Sequence, residues 1–377
     1  MNHDNETKSN SNLPNVLDLD KIDENTDIDY EEMIKHEENL LPEDDESGSD
    51  DDRRFTDTLF KINWHLVLLI VFILSVVIII YKFSNWGNVI DPNALFTEEE
   101  LQAEPEIETL DNILPNSNAE GSPAALDGVT NVVLFGNGPF AENYGTTDCL
   151  SEIIAKMSNA TVYNCSVSGS HLAATNHTFE VEVDAMDAFN FYWLTTLAAL
   201  DNEVPCKAAL TNAPEALPPE AQEVFDTLTD LDFSKVDVIG IMYDATDYLQ
   251  GRTLYNVAKE TDIQTFYGNL TAGIELLQTT YPHIRIIVMS PTYAYAVNNA
   301  GEYVDSDIYV YNEFPLSTYA QMLDRSTSNL GVSFVDNFYG TINVLNANDY
   351  LIDNIHINKD GKQKLAERFV YALQYYD

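Results

Sequence analysis

The sequence predicts an α/β fold, a three-layer α/β/α domain built on a parallel sheet, which follows a disordered tail and one transmembrane helix. Three observations lead to this prediction. After residue 130, short runs rich in Val and Ile alternate with amphipathic stretches. These runs lack the strict alternation of a sheet with one wet face, so they indicate strands covered on both sides. Upstream, one long apolar segment separates an acidic region from the rest of the chain.

Residues 1–61 form a strongly acidic segment. They carry 20 Asp and Glu against 6 Lys and Arg, with few aromatic residues and no sustained apolar period. Such a composition buries too little apolar surface to offset the entropy that a chain loses on folding. We therefore expect a disordered cytoplasmic tail, and its acidic run suits a basic partner.

Residues 62–82 are predicted to form a transmembrane helix. The run from Leu66 to Tyr81 consists of large apolar residues interrupted only by Ser75. With its flanks it reaches the ~20 residues that cross about 30 Å of hydrocarbon. Trp64 and Trp86 near the two ends suit the aromatic belts at membrane interfaces.

The charges beside this span predict its orientation. Arg53, Arg54 and Lys61 precede it, whereas Lys82 stands nearly alone after it. Positive residues mark the cytoplasmic side, and acidic residues contribute little to that rule. The sequence therefore predicts a single-pass protein of the cell membrane, with a cytoplasmic N-terminus and an extracellular C-terminal domain.

The part beyond the span divides into a linker, residues 83–128, and a domain, residues 129–377. The linker is rich in Asn, Pro, Glu and Ala, as stalks are. The domain holds five predicted strands and six predicted helices. The strands are 131–135, 161–165, 236–243, 284–289 and 332–335, and the helical periods lie near 147–158, 184–200, 218–230, 262–280, 315–329 and 359–375.

Four polar or glycine-rich segments follow predicted strands or precede the last helix. Since parallel strands connected by right-handed crossovers place such loops along one sheet edge, we expect them to meet there. Taken singly, each is a weak signal, because a glycine after a strand is usually a turn. The segments are Gly136-Asn137-Gly138, Ser166-Val167-Ser168-Gly169-Ser170, Asp244-Ala245-Thr246-Asp247 and Asp353-Asn354-Ile355-His356.

In this order, the four segments resemble the blocks of the SGNH/GDSL hydrolase superfamily over residues 130–377. The resemblance implies a flavodoxin-like α/β/α sheet and hydrolysis of acyl esters through a Ser-His-Asp triad. It assigns the base and its orienting acid to His356 and Asp353. It also places Gly169 and Thr246 at oxyanion positions, and Gly138 at the position of the nucleophilic serine.

The chain departs from the family at three of these positions. Gly138 has no hydroxyl to deprotonate, whereas a serine nucleophile needs one beside a base. The family's Gly-x-Asn-Asp block is here Asp244-Ala245-Thr246-Asp247, so a threonine replaces the oxyanion-donating asparagine and a carboxylate replaces glycine. Losing one oxyanion donor costs about 10²–10³ in rate. We expect three polar residues of these segments to contact a ligand: Asn137, Asp244 and Asp247.

Other interpretations of these segments stay open. Ser166, Ser168 or Ser170 could supply a substitute nucleophile, and Asp353 could simply cap the last helix while His356 satisfies the loop. Asp244, Asp247, Asp353 and His356 could bind a metal ion, although their spacing matches no metal signature. Three cysteines without a CxxC pair suggest no zinc cluster. We therefore predict no cofactor and no metal.

Two functions compete at this stage, with a sensor domain that signals through the acidic tail as a weaker third. The first is a binding protein of the cell envelope that holds a glycan or a protein partner without turning it over. The second is an active esterase, deacetylase or acyltransferase on acylated carbohydrate, in which Asp353 and His356 activate water or an acceptor hydroxyl. Tyrosines between 293 and 311 could line a sugar groove or pack against the domain. The net charge of −44 argues against nucleic acid as a partner.

Overall fold

The structure is a computed structural model that describes Leu69 and residues 72–76, 108–115 and 128–375. Leu69 and residues 72–76 are helical and exposed or half-buried. Within these ranges, no helix has both the length and the apolar character to cross a membrane. The predicted tail lies outside the described residues, as do most of the predicted transmembrane helix 62–82 and most of the predicted linker.

Five parallel strands form the central sheet, in the order β2-β1-β3-β4-β7. This is the flavodoxin-like order. The chain places β2 on one side of β1, and then returns to place β3, β4 and β7 in succession on the other side. All five predicted strands are present within two residues of their predicted ends, so the parallel sheet is confirmed. The strands are β1 Asn131–Gly136, β2 Thr161–Asn164, β3 Val238–Met242, β4 Arg285–Met289 and β7 Ser333–Val335. A small antiparallel hairpin, β5 Ala296–Val297 with β6 Tyr303–Val304, follows β4.

Helices cover both faces of the sheet, as the six predicted helical periods required. The period near 184–200 divides into a 3₁₀ turn, Ala185–Phe189, and a helix capped by the Asn190 side chain. The helices are α1 Gly138–Ala141, α2 Leu150–Ser158, α3 Phe191–Leu200, α4 Val204–Asn212, α5 Ala221–Asp230, α6 Thr246–Leu249, α7 Phe266–Thr280, α8 Leu316–Leu330, α9 Asn337–Gly340, α10 Ala347–Tyr350 and α11 Lys359–Leu373.

The core lies between the sheet and these helices. Strands β1 and β3 are buried along their whole length, which explains why their sequences lack alternation. Glycine is needed in β3, because a Cβ at Gly240 would come within 2.7 Å of both Leu134 and Phe369. The α11 helix therefore packs directly on the middle of the sheet, which places its first turn beside the carboxyl end of β1.

Residues 108–115, within the predicted linker, pack along the free edge of β7. Asn112 forms an antiparallel bridge with Phe334, with N···O distances of 3.0 and 2.8 Å. The Arg368 guanidinium on α11 binds both carboxylate oxygens of Asp111, at 2.6 and 2.7 Å. This segment, which we call the edge strap, pairs an edge that would otherwise be open to other chains.

Candidate active site

The four predicted segments meet at the carboxyl edge of the sheet. Gly138 follows β1 and opens α1, and Asp244 follows β3 and lies just before α6. Gly169 lies in the loop after β2, and His356 lies just before α11. The flavodoxin-like order places the ends of β1, β2 and β3 side by side, which is where ligands bind in sheets of this type.

The predicted base and its orienting acid form a hydrogen-bonded pair. His356 Nδ1 lies 2.6 Å from Asp353 Oδ2. The other oxygen of Asp353 accepts the backbone N–H groups of Ile355 and His356 at 2.9 and 2.8 Å. Asp353 thus closes the loop and orients the ring at the same time. The His356 side chain is 53 % exposed, so a ligand can reach it.

A carboxylate occupies the space where a nucleophile at position 138 would begin. A Cβ placed on Gly138 would lie 2.7 Å from Asp244 Oδ2 and 3.5 Å from Glu142 Oε1. A contact of 2.7 Å to a carbon is shorter than van der Waals packing allows. The glycine at 138 and the aspartate at 244 are therefore parts of one arrangement, and a serine fits only if Asp244 moves.

Hydrogen-bond donors beside this position are directed at Asp244. Its Oδ1 accepts the Asn137 side-chain amide at 2.7 Å and the Thr246 backbone N–H at 2.9 Å. Asn137 also donates to the Ser170 carbonyl, and its own oxygen accepts the Asp244 N–H. Asn137 is fully buried and joins the first three segments, and its contact with a ligand stays a prediction.

Two residues of the site carry no signal in the sequence: Glu142 and Lys362. Glu142 Oε2 lies 3.0 Å from Lys362 Nζ, and its Oε1 lies 4.0 Å from His356 Nε2. The Lys362 side chain is 2 % exposed, which is tolerable for a lysine only when it is paired. Glu142 ends α1 and Lys362 lies in the first turn of α11, so the pair ties together the two elements that carry Gly138 and His356.

The charges within this group shift its pKa values. Burial raises the pKa of Glu142 against the opposing effect of Lys362, and burial also raises the pKa of Asp244. Burial alone would lower the pKa of His356, but the hydrogen bond to Asp353 and the negative charge of Glu142 raise it above its ordinary value. The two acids therefore stabilise the protonated form of the imidazole relative to a free histidine.

The remaining predicted residues have different surroundings. Gly169 is exposed and has a φ of +77°, a left-handed conformation that suits glycine. Asp247 is fully buried, and its two oxygens accept the N–H groups of Leu172 and Ala173 at 2.9 and 2.8 Å. Asp247 thus positions the loop after β2, and its contact with a ligand stays a prediction.

The serines considered as substitute nucleophiles do not share one environment. Ser166 is buried and lies 2.5 Å from Asn164 Oδ1. Ser170 is also buried, and its hydroxyl donates to the Gly136 carbonyl at 3.4 Å. Ser168 is partly exposed, and its backbone N–H donates to Glu220. Two of the three hydroxyls are therefore engaged in the domain interior.

The metal set considered from the sequence is not assembled, since Asp247 is committed to backbone groups. Across the described ranges, one other group of three possible ligands lies close together: His171, Asp184 and Asp187. The backbone N–H of Thr175 donates to both oxygens of Asp187, and the hydroxyl of the same residue donates to Asp184. Both acids thus already have protein partners.

No protein-family model matches the chain, and no curated protein matches it. Solved structures similar to it include a possible lipase from Chitinophaga pinensis, with 11% identity, coverage of 65% of this chain and 97% of that chain, and a TM-score of 0.42. A structure from Desulfitobacterium hafniense assigned to the G-D-S-L family of lipolytic proteins has 13% identity, 64% and 99% coverage, and a TM-score of 0.37. Est24, a carbohydrate acetylesterase from Sinorhizobium meliloti, has 12% identity, 65% and 98% coverage, and a TM-score of 0.36.

At these identities and TM-scores, the comparisons concern the fold and carry no argument about activity. The assignment rests on the chain's own architecture. Its sheet has the flavodoxin-like order, and its four segments meet at one edge with Asp353 and His356 paired. This is the α/β/α architecture that the resemblance to the SGNH/GDSL hydrolase superfamily implied.

Proposed function

We propose that this SGNH/GDSL-like domain binds an envelope ligand, a glycan or a protein partner, and does not hydrolyse esters by the serine route. One observation carries the proposal. Asp244 Oδ2 lies 2.7 Å from the place of a nucleophile's Cβ at position 138. The domain thus has a carboxylate where the SGNH/GDSL resemblance would place a serine side chain.

The hydrogen bonds of Asp244 support the same proposal. A serine hydrolase stabilises a developing oxyanion with preorganised donors. Here the Asn137 amide and the Thr246 N–H already bind Asp244 Oδ1. A substrate oxyanion would have to compete with the Asp244 carboxylate for these donors. Any negative charge on Asp244 would also repel the oxyanion.

Fluorophosphonate labelling of the full-length chain tests the loss of the serine route. We expect no labelling of the unmodified chain and little of Gly138→Ser alone. Gly138→Ser combined with Asp244→Gly and Thr246→Asn should be labelled, because nucleophile and donors act as a unit. Adding His356→Ala to this triple variant is the matched control and should abolish labelling. Labelling of the unmodified chain that Ser168→Ala removes would overturn the proposal.

The Asp353–His356 pair favours a second candidate function. The pair has the 2.6 Å contact of a working base and orienter, and its exposed ring faces Glu142. An esterase, deacetylase or acyltransferase acting on acylated carbohydrate could use His356 to deprotonate water or an acceptor hydroxyl directly. Acetate release from acetylated xylan by the full-length chain, lost in His356→Ala but retained in Ser168→Ala, would establish this route.

We further propose that the domain is anchored in the cell membrane by residues 62–82, with the acidic tail in the cytoplasm. The support is the apolar run between two polar segments and the basic residues on one side of it. Such a placement would present the candidate site to polymers of the envelope. The tail would remain available to a basic cytoplasmic partner.

A further inference from the structure

Two tyrosines form a flat aromatic surface on the hairpin that follows β4. The rings of Tyr295 and Tyr303 are nearly parallel, at an interplanar angle of 9° and a centroid distance of 5.8 Å. Tyr303 is 54 % exposed, whereas Tyr295 is half-buried beneath it. We call this pair the tyrosine platform. Tyr303 is the more exposed of the two rings, so it is the one that a ligand can reach.

The other tyrosines of this region hold the hairpin rather than extend the platform. The Tyr311 hydroxyl donates to the Val297 carbonyl at 2.9 Å and accepts the N–H of the same residue. Tyr248 is buried and donates to the Tyr309 carbonyl at 2.6 Å. The platform is therefore fixed before any ligand arrives, which lowers the entropy that binding costs.

The tyrosine platform borders the candidate site. The Tyr295 N–H donates to the Asn354 carbonyl at 2.8 Å, and the Asn354 amide donates back to Tyr295 at 3.3 Å. Asn354 lies between Asp353 and His356 in the same loop. The Tyr295 hydroxyl also donates to Asn348 at 3.0 Å, which places amide groups beside the rings. Through Tyr295, the platform is therefore attached to the loop that carries His356.

The charge of the surrounding chain restricts the ligand. Between residues 286 and 358, Arg325 is the only Lys or Arg, against eight Asp and Glu. Recognition of phosphate or of another anionic polymer needs clustered cations, so this region disfavours anionic ligands. A cationic head group is commonly held over an open ring face in a cage of several rings. The rings of Tyr295 and Tyr303 lie nearly parallel and offset, and do not form such a cage.

We propose that the tyrosine platform binds a neutral hexopyranose unit of a glycan through the exposed ring of Tyr303. The apolar C–H face of a pyranose ring matches a flat π surface, and its hydroxyls match amides such as the exposed Asn348, which lies beside Tyr295. The proposal deepens the proposed binding function and rests on it. Of the two ligand classes in the proposed function, it selects the glycan. It also places the contact with the sugar outside the candidate active site.

Calorimetric titration of the full-length chain with neutral oligosaccharides tests the platform. The panel contains cellohexaose, xylohexaose and chitohexaose, with choline and inorganic phosphate as cationic and anionic probes. We expect one of the oligosaccharides to bind, and Tyr303→Ala to weaken its binding about threefold to tenfold or more. Tyr303→Phe should retain binding, since the ring face and not the hydroxyl makes the contact. Tyr371→Ala is the matched control, because Tyr371 is 57 % exposed on α11 and should not affect binding.

The proposal is overturned if no oligosaccharide binds, if Tyr303→Ala binds as tightly as the unmodified chain, or if Tyr371→Ala weakens binding as much as Tyr303→Ala does. Binding of choline or phosphate that depends on Tyr303 would also overturn it, by assigning the surface to a charged ligand. Failure here leaves the fluorophosphonate experiment unaffected, since that experiment reports on Gly138 and Asp244. Labelling of the unmodified chain would instead remove the proposed function while leaving the sugar titration interpretable.

Discussion

At position 138, the missing side chain and the nearby carboxylate depend on each other. Glycine leaves the room that Asp244 Oδ2 uses, and Asp244 in turn accepts donors from Asn137 and Thr246. Residues in direct contact have coupled effects on stability and on activity. Restoring one family residue at a time therefore tests less than restoring them together.

Gly138→Ser should destabilise the chain by about 1–3 kcal/mol, the usual cost of forcing a side chain into filled space. The reason is the 2.7 Å approach to Asp244 Oδ2. In urea denaturation, Gly138→Ser with Asp244→Gly should lose less than the sum of the two single variants. Equal stability of Gly138→Ser and the unmodified chain would show that the carboxylate does not fill this space.

The imidazole of His356 should titrate above its ordinary value of 6.5, because Asp353 and Glu142 stabilise its protonated form. Glu142→Gln should lower that midpoint in an NMR titration, whereas Asp226→Asn on the distant α5 helix should not. A raised pKa in the folded state stabilises the fold fully below the unfolded value, and that stabilisation is lost as pH rises through the folded pKa. A midpoint that Glu142→Gln leaves unchanged would contradict the contact between Glu142 and His356.

At the level of elements, the edge strap adds a paired segment beyond the last strand of the sheet. It is held by Asp111, which binds Arg368 and accepts the Asp336 N–H at 2.8 Å. The Leu110 N–H donates to the Asp336 side chain at 2.9 Å. The contacts join the strap to β7 and to α11, so stability of the strap and of that edge should be linked.

Asp111→Ala should lower the free energy of unfolding by about 1–3 kcal/mol, since it removes a charged hydrogen-bonded pair that is only partly screened by water. Hydrogen exchange of β7 should rise in the same variant, because Asn112 pairs with Phe334. Asp226→Ala, an exposed acid on α5, provides the comparison and should change stability little. Unchanged exchange of β7 would mean that the strap does not protect the edge.

The sequence was most informative where contacts are local or periodic. The strands were predictable because buried parallel strands are continuous runs of Val and Ile. Asp353 and His356 were identified through the SGNH/GDSL resemblance, in a segment where they stand only three positions apart. The pairing of Glu142 with Lys362 joins distant parts of the chain, and no local pattern records it.

Helix α4 was missed because its buried face is irregular and Pro205 lies in its first turn, where proline is tolerated. The edge strap looked like a linker because its pairing with β7 is non-local.

Across the whole molecule, charge and apolar surface are unevenly distributed. The chain carries 62 Asp and Glu against 18 Lys and Arg. Three of those basic residues, Arg53, Arg54 and Lys61, stand immediately before the predicted span. If the span crosses a membrane, these three residues should decide which side the domain occupies, because basic residues close to a span set its orientation.

Epitopes placed at the two termini test this orientation. Protease added to intact cells should remove the C-terminal epitope and leave the N-terminal one, and permeabilised cells should lose both. Replacing Arg53, Arg54 and Lys61 with Glu should let a fraction of molecules insert with the opposite orientation. The control replaces Lys8, Lys21 and Lys35 with Glu, which changes the net charge by the same amount. These three residues lie farther from the span than the ~15–20 residues over which the bias acts, so the orientation should not change. Loss of the N-terminal epitope from intact cells expressing the unmodified chain would place the acidic tail outside and the candidate site inside.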